Sequence, residues 1–125
     1  MEKTVLIVDD EEDIRDALAD YIESLNHFKT FRASNGTEAL EVLNKNKADL
    51  VISDIRMPQG DGIFLIKNLK DKIDGGMKFV FMTGYSDLSR NEALTLGAKE
   101  IFYKPFSLVM LGNQIRELLG EKPQT

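Results

Sequence analysis

Leu50-Val51-Ile52-Ser53-Asp54 is an apolar run that stops at a carboxylate, and Thr4-Val5-Leu6-Ile7-Val8-Asp9-Asp10 repeats that pattern near the amino terminus. Neither run alternates polar with apolar residues. Strands apolar on both sides are buried on both faces, the condition of a parallel sheet covered by helices above and below. Three more short runs, Phe28 to Ala33, Lys78 to Met82 and Glu100 to Tyr103, complete five expected strands.

Between the strands the apolar period changes from two to about three and a half. Ile14, Ala17, Leu18, Tyr21, Ile22 and Leu25 form one stripe of a helix over residues 12–25. Shorter stripes follow at Ala39, Leu40 and Leu43, at Leu65, Ile66, Leu69 and Ile73, and at Leu108, Leu111, Ile115 and Leu118, with another helix expected near residues 88–96. Asn35 with Glu38, and Ser89 with Glu92, have capping-box spacing, while Gly75-Gly76 and Gly97 stand where helices should stop. The alternation predicts an α/β fold, a doubly wound parallel sheet of five strands. In such a sheet, ligands bind where the carboxyl ends of the strands meet a switch in strand order.

Bulk properties narrow the chemistry. A chain of 125 residues is one domain's worth and can bury about two-thirds of its unfolded surface. With no cysteine and a single histidine, His27, it offers no disulfide and little for zinc, whereas oxygen ligands for hard cations are plentiful. Twenty-one acidic against 16 basic side chains give a net charge of −5, which disfavours direct nucleic-acid binding. The first apolar stretch is too short for a signal peptide or membrane span. These features predict a soluble cytoplasmic protein without membrane contact.

The first polar residues after the strands are the informative ones. Asp9 and Asp10 follow the first strand, Asp54 the third, Thr83 the fourth and Lys104 the fifth. Three carboxylates at one rim repel, so either some are protonated or a cation neutralises them. Oxygen ligands favour Mg²⁺ or Ca²⁺, and an open rim suits Mg²⁺, which keeps waters and takes phosphate oxygens. Taken singly, Asp10 reads as a helix cap, Thr83 as a turn residue and Lys104 as a surface charge. Taken together they supply a carboxylate nucleophile, a hydroxyl donor and an ammonium, the parts of phosphoryl transfer.

Asp9-Asp10, Asp54-Ile-Arg-Met-Pro-Gln-Gly-Asp-Gly62, Thr83-Gly84 and Lys104-Pro105-Phe106 resemble the receiver domains of two-component response regulators over almost the whole chain. The resemblance implies the flavodoxin-like (βα)5 sandwich with strand order 2-1-3-4-5, a receiver domain over 1–120 and a tail or linker start at 121–125. It implies that Asp54 accepts a phosphoryl group from a phosphohistidine on a sensor histidine kinase or phosphotransfer protein. Mg²⁺ would be held by Asp10, Asp54 and the backbone carbonyl of Arg56, with Asp9 acting directly or through water. Thr83 and Lys104 would each take a phosphoryl oxygen, Gly84 would let the backbone approach, and Lys104-Pro105 would be cis. Such a domain is an autocatalytic phosphoacceptor rather than a turnover enzyme. It signals to a downstream protein through its fourth helix, fifth strand and fifth helix, as a monomer or weak homodimer.

Two departures from the family pattern stand out. The aromatic side chain usual three residues before the lysine is replaced by Ile101, and strand alternation puts Tyr103, not Phe102, on the face of Ile101. Arg56 and Tyr85, both large, occupy positions that resemble gates on attacking water, which predicts a long-lived phosphoryl group. Two rival functions remain: a Mg²⁺-dependent phosphatase, which would resemble Asp-x-Asp where this chain has Asp54-Ile55-Arg56, and a flavin-binding or unphosphorylated interaction module of the same architecture.

Overall fold

The computed structural model describes residues 2–84 and 88–120. Strands β1 (Lys3–Val8), β2 (Phe28–Ala33), β3 (Leu50–Asp54), β4 (Lys78–Thr83) and β5 (Glu100–Tyr103) form one sheet in the order β2-β1-β3-β4-β5. Every pairing is parallel. The helices are α1 (Glu12–Ser24), α2 (Gly36–Lys45), α3 (Gly62–Asn68), α4 (Lys70–Asp74), α5 (Arg90–Leu96) and α6 (Leu108–Leu118).

Alternation along the strands sends side chains into two separate cores. Leu6, Val8, Val51, Phe79 and Phe81 pack with Ala39 and Leu43 of α2, Leu65 and Ile66 of α3 and Ala93 of α5. Val5, Ile7, Leu50, Ile52, Val80 and Met82 point the other way, onto Leu18, Ala19 and Ile22 of α1 and Leu111 and Ile115 of α6. The residues of β3 are buried on both faces, as its unbroken apolar run requires. The order reverses between β1 and β3, so their carboxyl ends flank the crevice.

Ser89 and Glu92 form a full capping box at α5, and Gly97 ends that helix at φ 109°. Asn35 caps α2 by accepting the Glu38 N–H at 2.8 Å, but the Glu38 carboxylate turns to Ser34, so the expected box is half made. Ala17 is exposed and Ala19 takes the buried place in the α1 stripe. The stripe centres on Leu18 and Ile22, which bear on the sheet, and Ala17 turns outward. The third helical stretch breaks at Leu69, whose N–H donates to Ile66 O in a tighter turn, leaving α3 and α4.

Candidate functional site

Asp54 is the last residue of β3 and is only 6% exposed. Its Oδ1 accepts the Ile55 N–H at 2.7 Å, and its Oδ2 lies 3.2 Å from Lys104 Nζ. Asp9, just past β1 and fully buried, is held in the same way. Oδ1 accepts the Glu11 N–H at 2.9 Å, and Oδ2 lies 3.3 Å from the same Lys104 Nζ. One ammonium therefore serves two carboxylates, and each carboxylate spends its other oxygen on a backbone donor.

Lys104 reaches this point because its N–H donates to Thr83 O at 2.7 Å, tying the ends of β4 and β5 together, and Lys104-Pro105 is cis as expected. Thr83 is fully buried at the same rim. Gly62 admits the course of the chain after Asp54: a Cβ there would sit 2.3 Å from Asp54 O. Its N–H donates to Ile55 O at 2.8 Å, closing a loop over residues 55–61.

Burial pushes the Asp9 carboxyl above the ordinary aspartate value, with the nearby Asp54 charge adding to it and the Glu11 N–H and Lys104 opposing it. Burial works against the Lys104 ammonium too, but attraction to Asp54 and then Asp9 outweighs it, and its pKa is raised.

Among the described residues, Asp9, Glu11 and Asp54 form a trio whose carboxylate oxygens come within 4.8 Å of one another. Asp10 is exposed beside this trio, and Arg56 is exposed on the loop after Asp54. Glu11 was missed in the sequence because its place depends on the turn that Asp9 makes with the Glu11 N–H. As the N-cap of α1 it makes no side-chain cap, which leaves its carboxylate at the rim. Hard oxygen donors from two buried carboxylates and one exposed carboxylate fit Mg²⁺.

Ile101 is buried and Phe102 packs against Phe106 with ring centroids 5.8 Å apart, on the α6 side. Tyr103 stands opposite Thr83 in the β4–β5 register, and its hydroxyl donates to Leu88 O at 2.5 Å, just before α5. It shares the face of Ile101, as alternation predicts. Tyr85 lies outside the described residues. His27 is exposed in the turn before β2.

A parallel sheet that gathers buried carboxylates, a hydroxyl and an ammonium at the carboxyl ends of its strands defines a doubly wound α/β domain with an acidic pocket. The chain belongs to the response regulator receiver domain family, which matches residues 5–116. It is 35% identical over 123 residues to the sporulation initiation phosphotransferase F of Bacillus subtilis, covering 98% of each chain. It is also 35% identical over 122 residues to the sensor kinase CckA of Brucella abortus, covering 95% of this chain but 13% of that protein. Among solved structures, the response regulator TrrA of Thermotoga maritima in complex with Mg²⁺-BeF superposes with a TM-score of 0.82 at 32% identity, covering 94% and 99% of the two chains. A CheY-like receiver domain from Methanospirillum hungatei gives a TM-score of 0.87 at 29% identity, covering 96% and 95%. Receiver domains are the signalling switches of two-component systems, phosphorylated by sensor kinases or phosphotransferases. Among the described residues no helix is long and apolar enough to cross a membrane.

Proposed function

We propose that Asp54 is the phosphoacceptor of a switch that works in the cytoplasm. A carboxylate oxygen of Asp54 forms a bond to phosphorus while the phosphorus–nitrogen bond of a partner's phosphohistidine breaks, its electron pair returning to the imidazole. The product is an acyl phosphate. The observation that carries this reading is the placement of Asp54, nearly buried at a strand end with one oxygen pinned by the Ile55 N–H and the other beside Lys104.

Asp54, Asp10 and the Arg56 carbonyl would hold Mg²⁺, with Asp9 and Glu11 contributing through water or directly. When bound, the cation offsets the charge of the incoming phosphoryl group. Lys104, a point charge already at the rim, exchanges a carboxylate for one phosphoryl oxygen. The Thr83 hydroxyl turns toward another, and the change passes to the face formed by α5, β5 and α6. Tyr103 is the route on this reading, since its hydroxyl bridges the strand beside Thr83 to the residue before α5. A Tyr103→Ala variant that still discriminated its downstream target on phosphorylation would exclude that route.

The partners are a sensor histidine kinase or phosphotransfer protein upstream and a protein target downstream. The domain, residues 1–120, acts as monomer or weak homodimer and accepts rather than turns over phosphate. Arg56 beside the acceptor screens the acyl phosphate from in-line water, which predicts slow loss of the group.

Mass spectrometry after treatment with a small phosphodonor, with and without Mg²⁺, tests the assignment. Wild type should gain one Mg²⁺-dependent adduct at Asp54 and Asp54→Asn none. An adduct on another residue would refute it, and steady hydrolysis of small phosphate esters would favour a phosphatase.

A further inference from the structure

The loop over residues 55–61 is tied down at two ends. At the nucleophile, Ile55 N–H holds Asp54 Oδ1 and Ile55 O accepts the Gly62 N–H. At the far end the loop is bonded to the head of α2. Gly36 N–H donates to Gly60 O at 2.7 Å, and Thr37 donates to Gln59 O from both its N–H at 3.3 Å and its Oγ1 at 2.9 Å. Asn35 Nδ2 donates to Gln59 Oε1 at 3.3 Å, while Asn35 Oδ1 caps α2.

The crossing is tight. A Cβ on Gly36 would meet Gly60 O at 2.7 Å and the Phe64 ring at 3.1 Å. Gln59 sits at φ 57° and Gly60 at φ 103°, and a non-glycine residue at positive φ persists only where its surroundings fix it. Those surroundings are Asn35 and Thr37. Arg56 lies on the span between the two anchors.

We propose that Thr37 and Asn35 are positioning residues. By gripping Gln59 they set the course of the loop, and so the distance from Asp54 at which the Arg56 carbonyl meets a divalent cation. The inference rests on the reading of Asp54 and that carbonyl as cation ligands. Neither Thr37 nor Asn35 belongs to the acidic cluster, so their effect on the cation passes through the loop. They border an open cleft of about 420 Å³ with Glu38, Glu41 and Gln59, where water competes for the same hydrogen bonds. The effect of losing one is therefore a modest change in affinity, about three- to tenfold.

Calorimetric titration of the full chain with Mg²⁺ tests this, alongside thermal unfolding of each protein without metal. Thr37→Val should weaken Mg²⁺ binding by about three- to tenfold, and Thr37→Ser, which keeps the hydroxyl, should bind like wild type. Asn35→Ser keeps a helix cap but loses the amide donor, and should weaken binding without lowering the unfolding temperature. If Thr37→Val does not fold, Asn35→Ser carries the test alone. Wild-type affinity in Thr37→Val and Asn35→Ser, with Asp54→Asn binding lost, would overturn the strap and leave the acceptor reading intact. Equal weakening in Thr37→Ser and Thr37→Val would also overturn it. Undiminished binding by Asp54→Asn would overturn both.

Discussion

Lys104 and Asp9 both lower stability as pH rises, one across the lysine range and the other across the carboxylate range. The Lys104 pKa is raised in the folded protein, so its ion-pair stabilisation is complete below the ordinary lysine value and fades as pH climbs through the higher folded value. Lys104→Met should cost about 2 kcal/mol at pH 7, because two carboxylates then face each other without a counter-charge. Urea titrations at pH 7 and pH 11 should show the gap between variant and wild type narrowing at the higher pH. Asp9 is also raised, but for a carboxylate this means that ionising it costs stability. The penalty is absent below the ordinary aspartate value and sets in as pH rises through the folded value. In metal-free buffer at pH 7, Asp9→Asn should therefore stabilise the domain by about 1 kcal/mol, and near pH 3 the two proteins should unfold alike. A variant less stable than wild type at pH 7 would contradict the burial argument. Asp9, Asp54, Thr83 and Lys104 were legible because each stands where a mainly apolar run ends. Glu11, Thr37 and Gln59 were not, since their roles come from turn geometry and a crossing between distant segments that no local pattern encodes.

At the scale of elements, the strands were legible to within a residue or so, because burial on both faces leaves an unbroken apolar signature. The break at Leu69 was hidden: Leu65, Ile66, Leu69 and Ile73 keep helical spacing across it, and nothing in that stripe marks the tighter turn. The capping box of α5 and the turn at Gly62 are separately testable. Ser89→Ala removes the acceptor for the Glu92 N–H and should cost about 1 kcal/mol in urea unfolding. Gly62→Ala should cost more, about 3 kcal/mol, since its Cβ would press on Asp54 O at 2.3 Å and force the loop after Asp54 to move. Equal losses in the two variants would show that the loop yields more easily than the contact implies.

For the whole molecule, the proposed Mg²⁺ site makes stability depend on cation supply. Mg²⁺ at about a hundred times its dissociation constant should raise the unfolding free energy by about 2.7 kcal/mol, and Asp54→Asn should abolish the gain. An undiminished gain in that variant would place the cation elsewhere.

The sheet also keeps the two apolar cores from touching, one against α2, α3 and α5 and the other against α1 and α6. Ile66→Val and Ile115→Val, one on each side, should each cost about 1 kcal/mol and sum to within about 0.5 kcal/mol in the double variant. Such insulation lets a lineage drift on one flank, retuning whom the domain meets there, while the opposite flank keeps its ancestral fit undisturbed.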